Sequence, residues 1–503
     1  MRVLLPGLAI GLVTALSSSA AESVEILRDN FGTPHIFART SAGAAYGAGY
    51  AQAEDRKEAL LRNLHAAAAT GPPALSPALS PAPALSPVMQ GIVEAFCAGI
   101  NRFLGEHSDA GSSPVTPAMV VAYSRQAFAT IHGSNDVLIS PIRSSTGNVI
   151  AILDPIAGWN DDGRPYEMRW YASNEQIALS GVAPPGVPFP LIGHNGSVAI
   201  GWSGSSDVAG SGALEQAWAM ITARNLAGVQ EALLMRQIPG AALVGTAQGD
   251  IYDRSGRLLN DGTLVRPRNA QSSEEMVRKL LVSQNTWPFG RMVDVAFSTA
   301  VYKAETWQAR LVKLAPSLPF VQQLTGWNRR SDATSTEALG FYLFKMALGQ
   351  PEAAALEPPD SLSDNRLLAA LRKAQDQIET QLPYRADYGT IFRATRAGAP
   401  QSIPVGGGTV TEAGMITPRA ITFQRAGQVL MGTGGQTATQ VVELSNPTRS
   451  VSVLVPGQSD RLESGHFDDQ ARELFSKGTA KPTYFGDRKE LEKHLSGKKE
   501  LIF

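Results

Sequence analysis

The pattern of apolar and polar positions changes character near residue 134. Before it, Val24-Glu25-Ile26-Leu27-Arg28 alternates as a strand does, and Asp29-Asn30-Phe31-Gly32-Thr33-Pro34 reads as the turn that ends it. From Ser41 to about Arg62 the chain is Ala-rich, with acids and bases three and four apart, which predicts a helix. Residues 71–88 repeat an Ala-Leu-Ser-Pro unit. Proline at that density bars a helix and predicts a flexible or extended linker. A second helix is expected over Val88–Leu104. Residues 105–133 carry no strand pattern and read as a removable spacer or as a loop joined to a helix.

After residue 134 strands dominate. Val137-Leu138-Ile139-Ser140 pairs with Val149–Leu153 as a hairpin, and Pro190–Gly193 pairs with Ser197–Trp202 across His194-Asn195-Gly196. Ala242–Thr246 pairs with Ile251-Tyr252. Helical patterns cover about 224–236, 335–348 and 364–381, and strands return at 420–446 and 450–455. Strand runs broken by blocks of helix predict layered sheets covered by helices.

At 503 residues and 43% hydrophobic content, the chain can bury a large core in one to three domains. A net charge of −1 without a clustered basic face gives no sign of a nucleic-acid partner. The run around Lys493, Lys498 and Lys499 reads as a solvated tail. Arg2, the apolar stretch Leu4–Leu16 and Ser18-Ser19-Ala20-Ala21 have the form of a secretory signal over residues 1–21, too short for a membrane span. An exported protein without a membrane span, periplasmic or secreted, is therefore expected. Cys97 is the sole cysteine, so neither an intrachain disulfide nor a cysteine zinc site can form. It reads as a buried apolar residue.

Gly-x-Ser-x-Gly, His-Glu-x-x-His and phosphate-loop motifs are absent, and Ser496-Gly497-Lys498-Lys499 matches Ser-x-x-Lys only by chance. The seven histidines are scattered. His194 reads as a turn residue, and His466, beside Asp468 and Asp469, as a loop-orienting or catalytic group. A serine–histidine–aspartate triad assembled in space stays open. Gly133-Ser134-Asn135-Asp136 stands at the head of a strand. A cut before Ser134 would place a hydroxyl and a free α-amine on one residue. The hydroxyl needs a base, and an α-amine titrating near ~7.7–8.0 can serve.

Six landmarks in order resemble the penicillin acylase family of N-terminal-nucleophile amidohydrolases, which includes acyl-homoserine lactone and aculeacin-type acylases. They are Arg28–Ile36 with Ala45–Arg56, Ala98-Gly99-Ile100-Asn101, Gly133-Ser134-Asn135, Ile192-Gly193-His194-Asn195 with Ala199–Trp202, Gly326–Asp332, and Pro456-Gly457-Gln458-Ser459 with Ser464–Gln470. The resemblance implies an α+β fold, a four-layer αββα N-terminal-nucleophile hydrolase core with helical additions. It implies a small chain over 22–106, a spacer over 107–133 that is removed, and a large chain over 134–503, the two chains staying together as a heterodimer.

Ser134 would be both nucleophile and, through its α-amine, base. The backbone N–H of Ser206 and the side chain of Asn285 would hold the oxyanion, with Arg310 in support. Ser134 would also attack the carbonyl of Gly133 to cut the precursor. No cofactor is implied for catalysis and no metal at the catalytic site. Asp207 lies near a position that holds a structural calcium ion in some members. The substrate would be a small N-acyl compound: an acyl-homoserine lactone, a fatty-acyl amide or a β-lactam side chain. Ile156 departs from the histidine or glutamine of many relatives. It motivates the alternative of a catalytically silent member that binds acylated ligands.

Overall fold

The computed structural model describes residues 21–70, 84–107, 113–130, 134–203, 207–253, 262–266 and 270–503. The signal read at 1–21 lies outside the described residues except for Ala21, as do most of the proline repeat, Gly133 and Ser206.

Two sheets make the core. The larger runs in the order Ile251–Asp253, Ala241–Thr246, Val198–Ser203, Ile192–His194, Ile177–Ala183, Tyr166–Ala172, Pro34–Ala38, Ser23–Asp29, Leu495–Ile502. The smaller runs Thr263–Arg266, Asp136–Ile139, Ile150–Leu153, Ala438–Glu443, Arg449–Leu454, Lys481–Pro482. Period-two alternation along the smaller sheet sets the layers. Leu138, Ala151, Leu153, Ala438, Val442 and Leu454 join the core shared with the larger sheet. Val137, Ile139, Ile150, Ile152, Val441 and Val453 point the other way, into a core with Met292, Val295 and Ala296 of helix Phe289–Ala296. Both faces of this sheet are buried around Asp136–Ile139 and Ile150–Leu153, which read as nearly continuous apolar runs.

The larger sheet is covered on its far side by helices Ser41–Ala69, Pro87–Glu106 and Pro117–Ala127. The first two pack at glycine contacts. A Cβ on Gly49 would lie 2.2 Å from Phe96 O, and one on Gly99 2.0 Å from Tyr46 O. Only residues without a side chain permit that approach. The result is the expected four-layer αββα arrangement. The helical addition is built from Ala304–Leu314, Pro319–Thr325, Thr336–Leu348 and Asp364–Thr380. It keeps its own core around Trp307, Phe320, Phe344 and Leu371.

The three hairpins form as the turn chemistry predicts, with Val137 opposite Ile152 and Ile139 opposite Ile150. Two local readings change. The lysine-rich end is an edge strand, Leu495–Ile502, paired along Ser23–Asp29. Leu501 is buried, and Lys498 pairs with Glu25. Helix Pro117–Ala127 occupies the stretch read as spacer or loop. Val120, Tyr123, Ala127 and Phe128 enter the main core, with the Phe128 ring 5.6 Å from that of Trp202. Asn101 grips Val115 in both directions at 2.8 Å, its Oδ1 accepting the N–H and its Nδ2 donating to the carbonyl.

The landmarks at the two ends of the chain meet. Arg56 interrupts helix Ser41–Ala69 with non-helical backbone, and its Nε donates to Gln458 O at 2.8 Å. Arg164 donates to Gly457 O at 2.9 Å, and Arg396 to Ser459 O at 2.5 Å. All three guanidinium groups pair with Asp460. Charged donors on otherwise orphaned carbonyls fix the Pro456–Ser459 segment.

Candidate active site

Ser134 lies two positions before strand Asp136–Ile139, with Asn135 between, and opposite Pro155 in an isolated antiparallel bridge. It is 3% exposed, and its Oγ has no hydrogen-bond partner among the described residues. The backbone around it is held by Asp154. Asn135 N–H donates to Asp154 O at 3.0 Å, and Asp136 Oδ1 accepts the Asp154 N–H at 2.8 Å. The Asp154 carboxyl accepts from Thr439 Oγ1 at 2.6 Å and from Gln436 Nε2 at 2.8 Å. Burial pushes this carboxyl up to about 7. The bonds from Thr439 and Gln436 lower it less, and the nearby Asp136 charge adds to the rise. Residues far apart in sequence thus build a dry polar cluster, with a carboxyl titrating near neutrality, beside the proposed nucleophile.

Asn135 opens on a cavity of about 250 Å³, lined also by Thr409–Glu412, Thr417, Pro418 and Ala420–Phe423. The wall is joined to the cluster, since Gln436 N–H donates to Ala420 O at 2.9 Å. Ile156 is buried opposite Gln436 and offers no polar atom from its side chain. Gln436 supplies the amide here instead. Its Nε2 bonds Asp154 and Ala296 O, and its Oε1 has no partner among the described residues. Neither Asp154 nor Gln436 stood out in the sequence. The only local signal was an acid at the end of an apolar strand.

The other sequence-predicted groups are not gathered at Ser134. Asn285 is exposed, in the turn before Trp287. That turn is tied beyond the far end of strand Asp136–Ile139 by Trp287 N–H to Arg143 O at 2.8 Å and Ser145 N–H to Trp287 O at 3.0 Å. At about 3.3 Å per residue, Ile139 already lies roughly 16 Å from Ser134. Arg310, on helix Ala304–Leu314, donates to Pro359 O at 3.3 Å and Leu362 O at 2.6 Å, which fastens the loop before helix Asp364–Thr380. Ser206 and Gly133 lie outside the described residues.

His194 belongs to strand Ile192–His194 rather than to a turn. Burial holds its imidazole down at about 3, and neither ring nitrogen has a hydrogen-bond partner among the described residues. His466 Nδ1 bonds Asp469 at 2.8 Å, which raises its pKa, and its ring packs where Gly32 lacks a side chain. With Ser134 Oγ unpartnered as well, no hydrogen bond joins Ser134 to a histidine among the described residues. The Cys97 thiol is buried and pushed up to about 12, in keeping with a packing role. Among the described residues no three His, Cys, Asp or Glu side chains converge as a metal site. No helix among the described residues is long and apolar enough to cross a membrane.

Comparison with known proteins places the chain in a family. The penicillin amidase family model matches residues 23–71, 116–209 and 267–491, well over half of the chain. The chain belongs to the penicillin amidase family. It is similar to the acyl-homoserine lactone acylase PvdQ of Pseudomonas fluorescens, 25% identical over 281 residues, covering 40% of this chain and 36% of that protein. The match thus spans about a third of that relative's length. A solved structure of a thermostable penicillin G acylase from Alcaligenes faecalis aligns over 74% of this chain and 99% of its own, at 11% identity and a TM-score of 0.47.

Proposed function

We propose that this chain is an exported amidohydrolase that cuts itself before Ser134 and then hydrolyses the amide bond of an N-acyl compound through an acyl-Ser134 intermediate. The observation that carries the reading is Ser134 itself. Its hydroxyl has no partner among the described residues, and it stands at the head of strand Asp136–Ile139, beside a cavity that Asn135 lines. In the precursor Ser134 Oγ attacks the Gly133 carbonyl, the amide nitrogen leaves, and water opens the ester. The freed α-amine then takes the hydroxyl proton when the substrate carbonyl is attacked, and returns it to the leaving amine. The Ser206 N–H is the proposed oxyanion donor. Asn285 and Arg310 do not enter the proposal, since Asn285 lies in an exposed turn and Arg310 is engaged by the carbonyls of Pro359 and Leu362.

The same reading sets the two chains. Helix Pro117–Ala127 is part of the core, so the segment that is lost excludes it, and the small chain keeps it. The cavity mixes threonines and Glu412 with Val410, Ile421 and Phe423. It suits a short acyl group, or one carrying polar atoms, better than a long aliphatic chain. Acyl-homoserine lactones and penicillins offered as a panel test this. Hydrolysis by the processed protein and none by Ser134→Ala is the expected result. Equal hydrolysis by Ser134→Ala would overturn it.

Ile156 favours a second reading, a silent member that binds acylated ligands. Its side chain is apolar where many relatives carry a polar one. An uncut chain that binds the panel without turnover would support that reading.

A further inference from the structure

Beside the cavity that Asn135 lines lies a second one, of about 600 Å³, and residues 417–420 form a wall between them. Thr417, Pro418 and Ala420 line the first, and Arg419 the second. The second cavity is cationic. Arg291, Arg330, Arg419 and Lys477 face only two carboxylates, Asp294 and Asp332, with Thr299, Thr334 and Ser476 adding hydroxyls.

The arginines differ in burial. Arg291 and Asp294 pair at 3.4 Å on the surface, and Arg330 pairs with Asp332, also at 3.4 Å. Arg419 is 2% exposed. Its guanidinium stacks 4.0 Å from the Phe475 ring centre, and Nη2 donates to Phe475 O. Its Nε has no partner among the described residues, although it is shielded from solvent. Burial holds the guanidinium down to about 9. Four cationic side chains against two carboxylates leave the lining with excess positive charge, which an anionic ligand offsets. The Gly326–Asp332 landmark supplies one edge through Arg330 and Asp332. Ser331 N–H bonds Thr299 O at 2.9 Å, and Trp327 Nε1 bonds Arg330 O at 2.9 Å, which sets Arg330 and Asp332 at the rim.

We propose that this cavity is a second binding site, for a small ligand bearing a phosphate or carboxylate group, with Arg419 at its floor and Arg330 and Lys477 at its rim. The proposal does not depend on catalysis at Ser134. Titration calorimetry of the full chain with inorganic phosphate and with succinate, at constant ionic strength, tests it. One saturable site per chain is expected for at least one of the two, and the tighter probe identifies the head group. Arg419→Met and Lys477→Glu should each weaken binding by about tenfold or more, the scale of a lost charge-assisted hydrogen bond. Lys477 is exposed, so Lys477→Glu keeps the test sound even where Arg419→Met fails to fold. Absence of saturable binding of both probes, or wild-type binding by Lys477→Glu, overturns the proposal.

Discussion

The two ends of strand Asp136–Ile139 are built on different principles. At the Ser134 end, Asp136, Asp154, Thr439 and Gln436 are buried and hydrogen-bonded, and one carboxyl is pushed up to about 7. At the other end, the turn carrying Asn285 is exposed and held mainly by backbone bonds to residues 143–145. A polar side chain in a dry setting has its protonation and orientation set by its neighbours, whereas one in water does not. The contrast is why the proposed chemistry is assigned to the first end, while the second end is tied down by backbone bonds.

The largest expected effect lies at the buried end. Ser134→Ala should abolish both chain cutting and amide hydrolysis, read by gel mobility and by product release. Next comes the packing that keeps helix Pro117–Ala127 in place. Phe128→Ala should cost about 3–5 kcal/mol in urea unfolding, the usual price of emptying a buried aromatic site. A cost under about 1 kcal/mol would restore the view that this segment is dispensable.

Asp154→Asn is expected to act through pH. The native carboxyl titrates near 7 and an unfolded one near ~3.9, so between those values the folded state holds a proton that the unfolded state lacks. Its contribution to stability is full below the lower value and is lost as pH rises through the upper one. The asparagine variant should remove that slope, and subtracting its pH–stability curve from that of the parent isolates it. His35 and His194, held down at about 4 and about 3, act in the opposite sense and lose stability as pH falls below about 6.5. The smallest effects belong to the exposed end. Asn285→Ala and Arg310→Ala should leave hydrolysis within about twofold, with Arg310→Ala losing about 1 kcal/mol of stability from its carbonyl bonds. A loss of a hundredfold in hydrolysis for either would return that residue to the site.

Much of the fold was legible because its signals are local. Asn195-Gly196, the alternation in 137–153 and the helical periods over 335–348 and 364–381 depend on near neighbours alone. Helix Pro117–Ala127 was missed because its amphipathic pattern is short and follows a polar, Gly/Ser-containing stretch. The lysine-rich end misled because an edge strand needs only one buried face, which leaves its other positions free to carry charge. At the site, Ser134 was singled out by its place at a strand head together with the family landmarks around it. Asp154 and Gln436 were not, since their meeting is made by sheet register across 282 positions. Asn285 matched by residue type, but pairing with residues 143–145 fixes where it lies.

N-terminal sequencing and intact-mass analysis of the purified mature protein probe the role of Ser134 at its source. The expected result is two associated fragments, the larger beginning at Ser134 and the smaller still containing Pro117–Ala127. A single chain with the bond between Gly133 and Ser134 intact, yet hydrolysing N-acyl substrates at full rate, would contradict it.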